Sequence, residues 1–417
     1  MLAPYRAIFS RRGTLAFSTA GFVGRMPLAM TGLGIVTMMS QLTGRYGLAG
    51  ALTATLALAA AVLGPQVSRL TDRHGQRRVM RPAMLISVAA IGMLCLTARE
   101  GWPDWLLFVF AATAGCVPNV GSMVRARWSL IYRDDDPTRL HTAYSFESVV
   151  DEICFIIGPI LAIGLATSVF PEAGLLLAAV FLGVGVWWLT AQRATEPPPH
   201  PPGHHAAGSA LRTRGLPWLM ASFVATGALL AATEVSTVAF AEEEGHKSAA
   251  SIVLALWALG SGIAGLVFGL VQPKGPLSRR FLLGVAAMAV SMIPLQLVSS
   301  LPQLTVALFV SGLAVAPTMV TTMAMVERLV PPSRLTEGMT WVSTGLAVGV
   351  ALGSAVAGWA IDAGGSEAGY AVPGVSGALA VAVALLGHRR LRSAPAREGT
   401  HVAERKQPGD EEQEHVA

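Results

Sequence analysis

Five charged side chains stand inside otherwise apolar stretches of this sequence, and their types and spacing limit the chemistry open to them. Arg25 lies in one run, Glu147, Asp151 and Glu152 open another, and Glu234 sits in a third. On a helix, Glu147 and Asp151 are four residues apart and share a face, while Glu152 points about 100° away from Asp151. Carboxyl groups in such surroundings are candidate proton carriers, because burial, nearby acids and a nearby cation all change which protonation state is favoured. Read for structure alone, the same residues are a charge-neutral pair, Arg25 with Asp151 or with Glu152, that ties two segments together. Glu234 is either a third proton-carrying candidate or a carboxylate at a wet mouth. Both kinds of reading stay open on the sequence.

The stretches that hold these residues set the architecture. Only 13% of the 417 residues are charged, 53% are apolar, and the mean hydropathy is +0.56. Soluble domains carry about 25% charged residues. Charge clusters and Gly/Pro breaks leave twelve candidate spans, at 14–40, 47–70, 79–98, 103–127, 142–168, 172–192, 216–240, 249–271, 280–300, 303–327, 337–362 and 369–388. Each approaches or exceeds the roughly 20 residues that cross a bilayer as a helix, and none alternates with the two-residue period of a strand. The fold class expected is an all-α polytopic membrane protein with twelve transmembrane helices in two pseudo-symmetric six-helix bundles. A soluble enzyme, a disordered chain and a secreted disulfide scaffold are excluded.

Orientation follows from the basic residues. With the N-terminus inside, 26 of the 30 Lys and Arg fall in segments on the cytoplasmic side; Arg45, Arg99 and Lys247 fall outside, and Arg25 lies within the first span. This asymmetry is the positive-inside signal and places both termini in the cytoplasm. It also accounts for the net charge of +5 and pI near 9.4 without nucleic acid. The chain divides into 1–192, a linker 193–215, 216–388 and a charged, disordered tail 389–417. Within that linker His200, His204 and His205 read as solvated residues rather than metal ligands. Cys95, Cys116 and Cys154 lie in apolar runs and read as small buried groups. No cleavable leader, metal site, cofactor or nucleotide-binding pattern is expected, so no enzyme activity is either.

Between spans 2 and 3 stands Ser68-Arg-Leu-Thr-Asp72-Arg73-His74-Gly75-Gln76-Arg77-Arg78. It resembles the signature loop of the major facilitator superfamily, G-x-x-x-D-R-x-G-R-R, with Ser68 for the leading glycine and Gln76 for a basic residue. The resemblance covers the whole run of spans. A second copy after span 8, PKGPLSRR, carries no acid. Ala143 to Gly158 in span 5 has the same spacing as Gly338 to Gly353 in span 11, and Val117-Pro118-Asn119 echoes Ala316-Pro317-Thr318. The resemblance implies that Asp72 meets the N-terminus of span 11, near Thr336–Met339, as a gating latch with Arg73, Gly75, Arg77 and Arg78 around it. Cys154-Phe-Ile-Ile-Gly158-Pro159-Ile-Leu-Ala162 partly resembles the G-x-x-x-G-P-x-x-G-G motif of drug:proton antiporters, with Gly158 and Pro159 as a helix kink.

By the same resemblance, spans 1, 4, 7 and 10 line the substrate cavity. They offer Met26, Met30 and Thr31; Asn119 and Ser122; Thr226 and Thr233; and Thr318, Met319 and Thr322. Met and Thr make an adaptable surface with few directed hydrogen bonds, which suits amphipathic solutes. The function expected is alternating-access transport in the plasma membrane by a monomer, exporting a small molecule in exchange for protons. The rival is uptake of a small polar or anionic solute, with Arg25 as its cation; more distant is a membrane sensor or scaffold without transport.

Overall fold

The computed structural model describes residues 3–392 except 44, 134–135, 200–208, 247–248, 272 and 274. His200, His204, His205 and the chain beyond 392 therefore lie outside the described residues. Among the described residues every regular element is helical. In the N-terminal half these are α1 (Ala3–Ile8), α2 (Thr14–Thr43), α3 (Tyr46–His74), α4 (Gln76–Glu100), α5 (Asp104–Ala114), α6 (Val120–Tyr132), α7 (Pro137–Ser168) and α8 (Ala173–Ala191). In the C-terminal half they are α9 (Leu216–Glu243), α10 (Ala249–Leu270), α11 (Leu277–Ser291), α12 (Leu301–Gly312), α13 (Val315–Leu329) and α14 (Leu335–Arg392).

Eleven helical stretches are long and apolar enough to cross a membrane, and Asp104–Ala114 is a shorter apolar one. With α6 continuing α5, the twelve spans are complete. The differences from the sequence reading have local causes. Span 4 breaks after α5 because Pro118 has no N–H to offer and Asn119 begins a new helix, its side chain accepting from the Ser122 N–H at 2.9 Å. That restart carries α6 to Tyr132, so Arg125 and Arg127 are buried helix residues and not loop charges. Span 5 begins at Pro137 rather than near 142, because Asp136 caps it by accepting from the Thr138 and Arg139 N–H groups, each at 3.1 Å. Spans 11 and 12 are the two limbs of α14, bent at Gly364 and Gly365. The second limb runs on to Arg392, so the first residues of the charged tail are helical.

Packing within each half is close. In the C-terminal half, Gly345, Gly349 and Gly353 of α14 lie against the Met220, Val224 and Ala228 carbonyls of α9, where an added Cβ would collide with backbone. Small residues at a spacing of four allow two membrane helices to approach this closely. Leu28, Trp359 and Leu386 are among many large apolar side chains left exposed, as a lipid-facing surface requires.

The buried clusters are unevenly placed. The largest joins the halves at the end of the bundle that carries α1 and the Gly75 turn, hereafter the basic end. It brings Tyr5, Ile8, Trp128, Tyr132 and Tyr144 together with Leu329, Val330, Leu335, Met339 and Leu391. Toward the opposite end each half has a core of its own, one around Ile35, Met38, Leu94 and Leu175, the other around Leu229, Met288, Leu304 and Tyr370.

Candidate functional site: a buried charge cluster and the contacts between halves

The intramembrane charges converge where α2, α6 and α7 meet. Glu147 and Asp151 present one face of α7 to α2, and Arg25 lies between them. One guanidinium nitrogen of Arg25 bonds the Glu147 carboxylate, and another donates to Asp151 Oδ1 at 2.8 Å. A second cation, Arg125, donates to Asp151 Oδ2 at 2.6 Å. Glu147 also accepts from Trp128 Nε1 at 2.6 Å and Ser18 Oγ at 3.0 Å. Two arginines thus balance two carboxylates. Glu147 is fully buried, whereas the Asp151 side chain is 29% exposed.

Glu152 does not join this cluster. It points to the other half, where Ser261 of α10 donates to its Oε1 at 2.7 Å. The open choice for Arg25 is settled in favour of Asp151, with Glu147 as a second partner. Glu234 is exposed on α9 and makes no hydrogen bond or ion pair with a described residue.

At the basic end the signature loop meets α14. Gly75 separates α3 from α4 at φ 89°, in the left-handed region a residue without Cβ adopts freely. Asp72 Oδ2 accepts from the Glu337 N–H at 2.9 Å, and the Thr336 side chain bonds the same carboxylate. An anion on a helix N-terminus has favourable charge–dipole geometry. Both departures from the family pattern have partners. Ser68 shares a 2.8 Å hydrogen bond with Thr340, and Gln76 Oε1 accepts from the fully buried Arg127 at 2.8 Å. A basic residue at position 76 would face that cation. The Arg77 N–H donates to Glu196 at 2.9 Å, while the Arg73 and Arg78 side chains make no bond to a described residue. Glu337 is held in turn by Ser209 Oγ at 2.5 Å and the Ala210 N–H at 3.0 Å.

The cavity candidates fare differently from one another. Met26 and Met30 pack with Val150, Cys154 and Ala162 inside the N-terminal half. Ser122, Thr226, Thr233, Thr318 and Thr322 are buried, and each of these four threonines returns its hydroxyl to the carbonyl four residues earlier. Thr31, Asn119 and Met319 are partly exposed. Gly158 packs on Ala29, and Pro159 lies within α7. Arg125, Trp128 and Ser261 were not anticipated; the Pro118-Asn119 restart was the signal that Arg125 belongs inside.

Hydrogen bonds between the halves also have a pattern. Besides those of Asp72, Ser68 and Glu152, Arg133 bonds Glu327, and Tyr5, His141 and Thr142 reach the end of α10. All lie at the basic end or near mid-bundle. At the opposite end the described polar contacts stay within one half: Arg45 with Asp104, Arg99 with Glu172, and Glu243 with Ser366. The geometry is that of a two-bundle protein closed at one end.

The sequence profile of the Major Facilitator Superfamily matches residues 17–293 and 242–410. The chain belongs to the Major Facilitator Superfamily. Members of this family are transporters, not enzymes. The human organic anion transporter MFSD10 (TETRAN) is similar in structure, with a TM-score of 0.68 at 16% identity over 91% of this chain and 100% of that one. A bacterial homologue of the iron transporter ferroportin, in an outward-facing state with soaked iron, gives 0.69 at 14% identity over 93% and 100%. The fucose:proton symporter FucP of E. coli gives 0.63 at 14% over 90% and 99%. At these identities the likeness shows a shared superfamily fold. No curated protein matches the sequence.

Proposed function

We propose that this chain is a proton-coupled, alternating-access transporter of the plasma membrane that exports an amphipathic small molecule as a monomer, with its basic end in the cytoplasm. The observation that carries the coupling is Glu152. Glu147 and Asp151 are held by Arg25 and Arg125, so protonating either leaves a buried cation without its counter-charge, which is costly. Glu152 has no cation among its described bonds. Its one bond, to Ser261, crosses from one half to the other. Gain of a proton at Glu152 and separation of the halves therefore act on the same contact, which is what linkage between an ion and a conformational change requires.

An amphipathic solute is supported by the partly exposed Met319 and Thr31, side chains that offer an adaptable surface with few directed hydrogen bonds. Uptake of an anion on Arg25 is disfavoured, because that guanidinium already engages two carboxylates. The cytoplasmic placement of the basic end rests on the distribution of Lys and Arg. Reconstituted protein, screened with labelled amphipathic compounds with and without a protonophore, tests the reading. Glu152→Gln should abolish substrate-driven proton movement while substrate exchange persists. Normal coupling in that variant overturns the assignment, and the absence of flux for every compound points to a scaffold.

A further inference from the structure

The contact of Asp72 with α14 has a counterpart on the other side of the bundle, built from different groups. An α-helix leaves its last carbonyls without intrahelical partners and with partial negative charge. Near the end of α10, three carbonyls are met by donors from the N-terminal half. Tyr5 Oη of α1 donates to the Leu266 carbonyl at 2.6 Å, His141 Nε2 of α7 bonds the Phe268 carbonyl at 2.8 Å, and Thr142 Oγ1 donates to the Gly269 carbonyl at 2.9 Å. The His141 ring also stands edge-on to Phe268, with centroids 5.0 Å apart. Gly269 has no room for a methyl group: an added Cβ would run into the Tyr5 hydroxyl and come within 2.8 Å of Ser145 Cβ.

The positions are related by the internal repeat. Span 2 corresponds to span 8 and span 5 to span 11, and the register that pairs Gly158 with Gly353 and Ala143 with Gly338 also pairs His141 with Thr336 and Thr142 with Glu337. Thr336 and Glu337 are the residues that bond Asp72. In both contacts the acceptor comes from the end of span 2 or span 8 and donors come from the start of span 5 or span 11, with Tyr5 of α1 as an additional donor on the second side. On the first side the acceptor is a carboxylate on a helix N-terminus. The second copy of the loop, PKGPLSRR, has no acid to offer. There the carbonyls of the span 8 end take its place, and side-chain donors replace backbone N–H groups.

We propose that Tyr5, His141 and Thr142 form a second clasp, the pseudo-symmetric mate of the Asp72 contact, and that the two together hold the basic end shut. The proposal rests on the alternating-access reading above. Losing one hydrogen bond of about 1 kcal/mol changes an equilibrium about fivefold. The test is the distance distribution between spin labels at Arg12 and Arg328, exposed residues of the two halves, in lipid nanodiscs with Cys95, Cys116 and Cys154 replaced by alanine. Tyr5→Phe with Thr142→Val should enrich the wider population at least fivefold, Asp72→Asn should do likewise, and the combination should exceed either. Gly269→Ala, which wedges the same contact from the other side, should match the double variant. An unchanged distribution in both clasp variants overturns the clasp if Asp72→Asn still widens it. If Asp72→Asn is also silent, alternation at this end is overturned as well.

Discussion

The two ends of this bundle are built on different plans. At the basic end one buried cluster runs through both halves, and Asp72, Ser68, Arg133, Tyr5, His141 and Thr142 each reach across. At the opposite end each half closes on its own core, and the ion pairs Arg45–Asp104 and Arg99–Glu172 join helices of a single half. The number of charges does not make the difference, since both ends have ion pairs. What differs is whose helices they join. A contact within one half keeps that half intact in every state, whereas a contact between halves biases one state over another.

Three substitutions sharpen or break this comparison. The largest effect is expected at neither end but in the cluster between them. Arg25→Met leaves Glu147 buried without its cation, and loss of one partner of a buried pair costs about 3–5 kcal/mol. Thermal unfolding in detergent should show a drop of that order, and an unchanged midpoint would mean that Arg125 alone neutralises the site. The intermediate effect is at the basic end. Glu327→Gln weakens a charge-assisted bond between halves and should raise the labelling rate of a cysteine engineered at the buried Thr340 about tenfold, equivalent to about 1.4 kcal/mol. The smallest is at the opposite end. Arg45 and Asp104 are about half exposed, so Asp104→Asn should alter stability by less than about 1 kcal/mol and leave labelling at Thr340 as it was. A rise there would show that the opposite end also controls the state.

Much of this organisation is legible in the sequence. Apolar length locates the twelve spans, and the signature loop directs attention to Asp72 and the start of span 11. The misreadings have a common physical root. The basic-residue count gives Arg125 and Arg127, at the end of span 4, to the cytoplasmic side, whereas the Asn119 cap restarts the helix and carries both inward. Helical spacing shows that Glu147 and Asp151 share a face, but which of Asp151 and Glu152 meets Arg25 depends on the rotation of α7 against α2, a tertiary property. The threonines proposed for the cavity were the hardest to place. A hydroxyl bonded to its own helix four residues back looks the same in sequence as one that faces a solute.

The glycine row of α14, pressed on the carbonyls of α9, has a mechanical consequence. Where helix backbones touch with no side chain between them, there is no soft layer to shear, and the C-terminal half is stiff along that seam. In the alternating-access cycle proposed above, substrate passage then falls to a rocking of whole bundles about mid-depth. A compound that prevents turnover would do best to lodge between the bundles as a doorstop, because the C-terminal one does not give way along that seam.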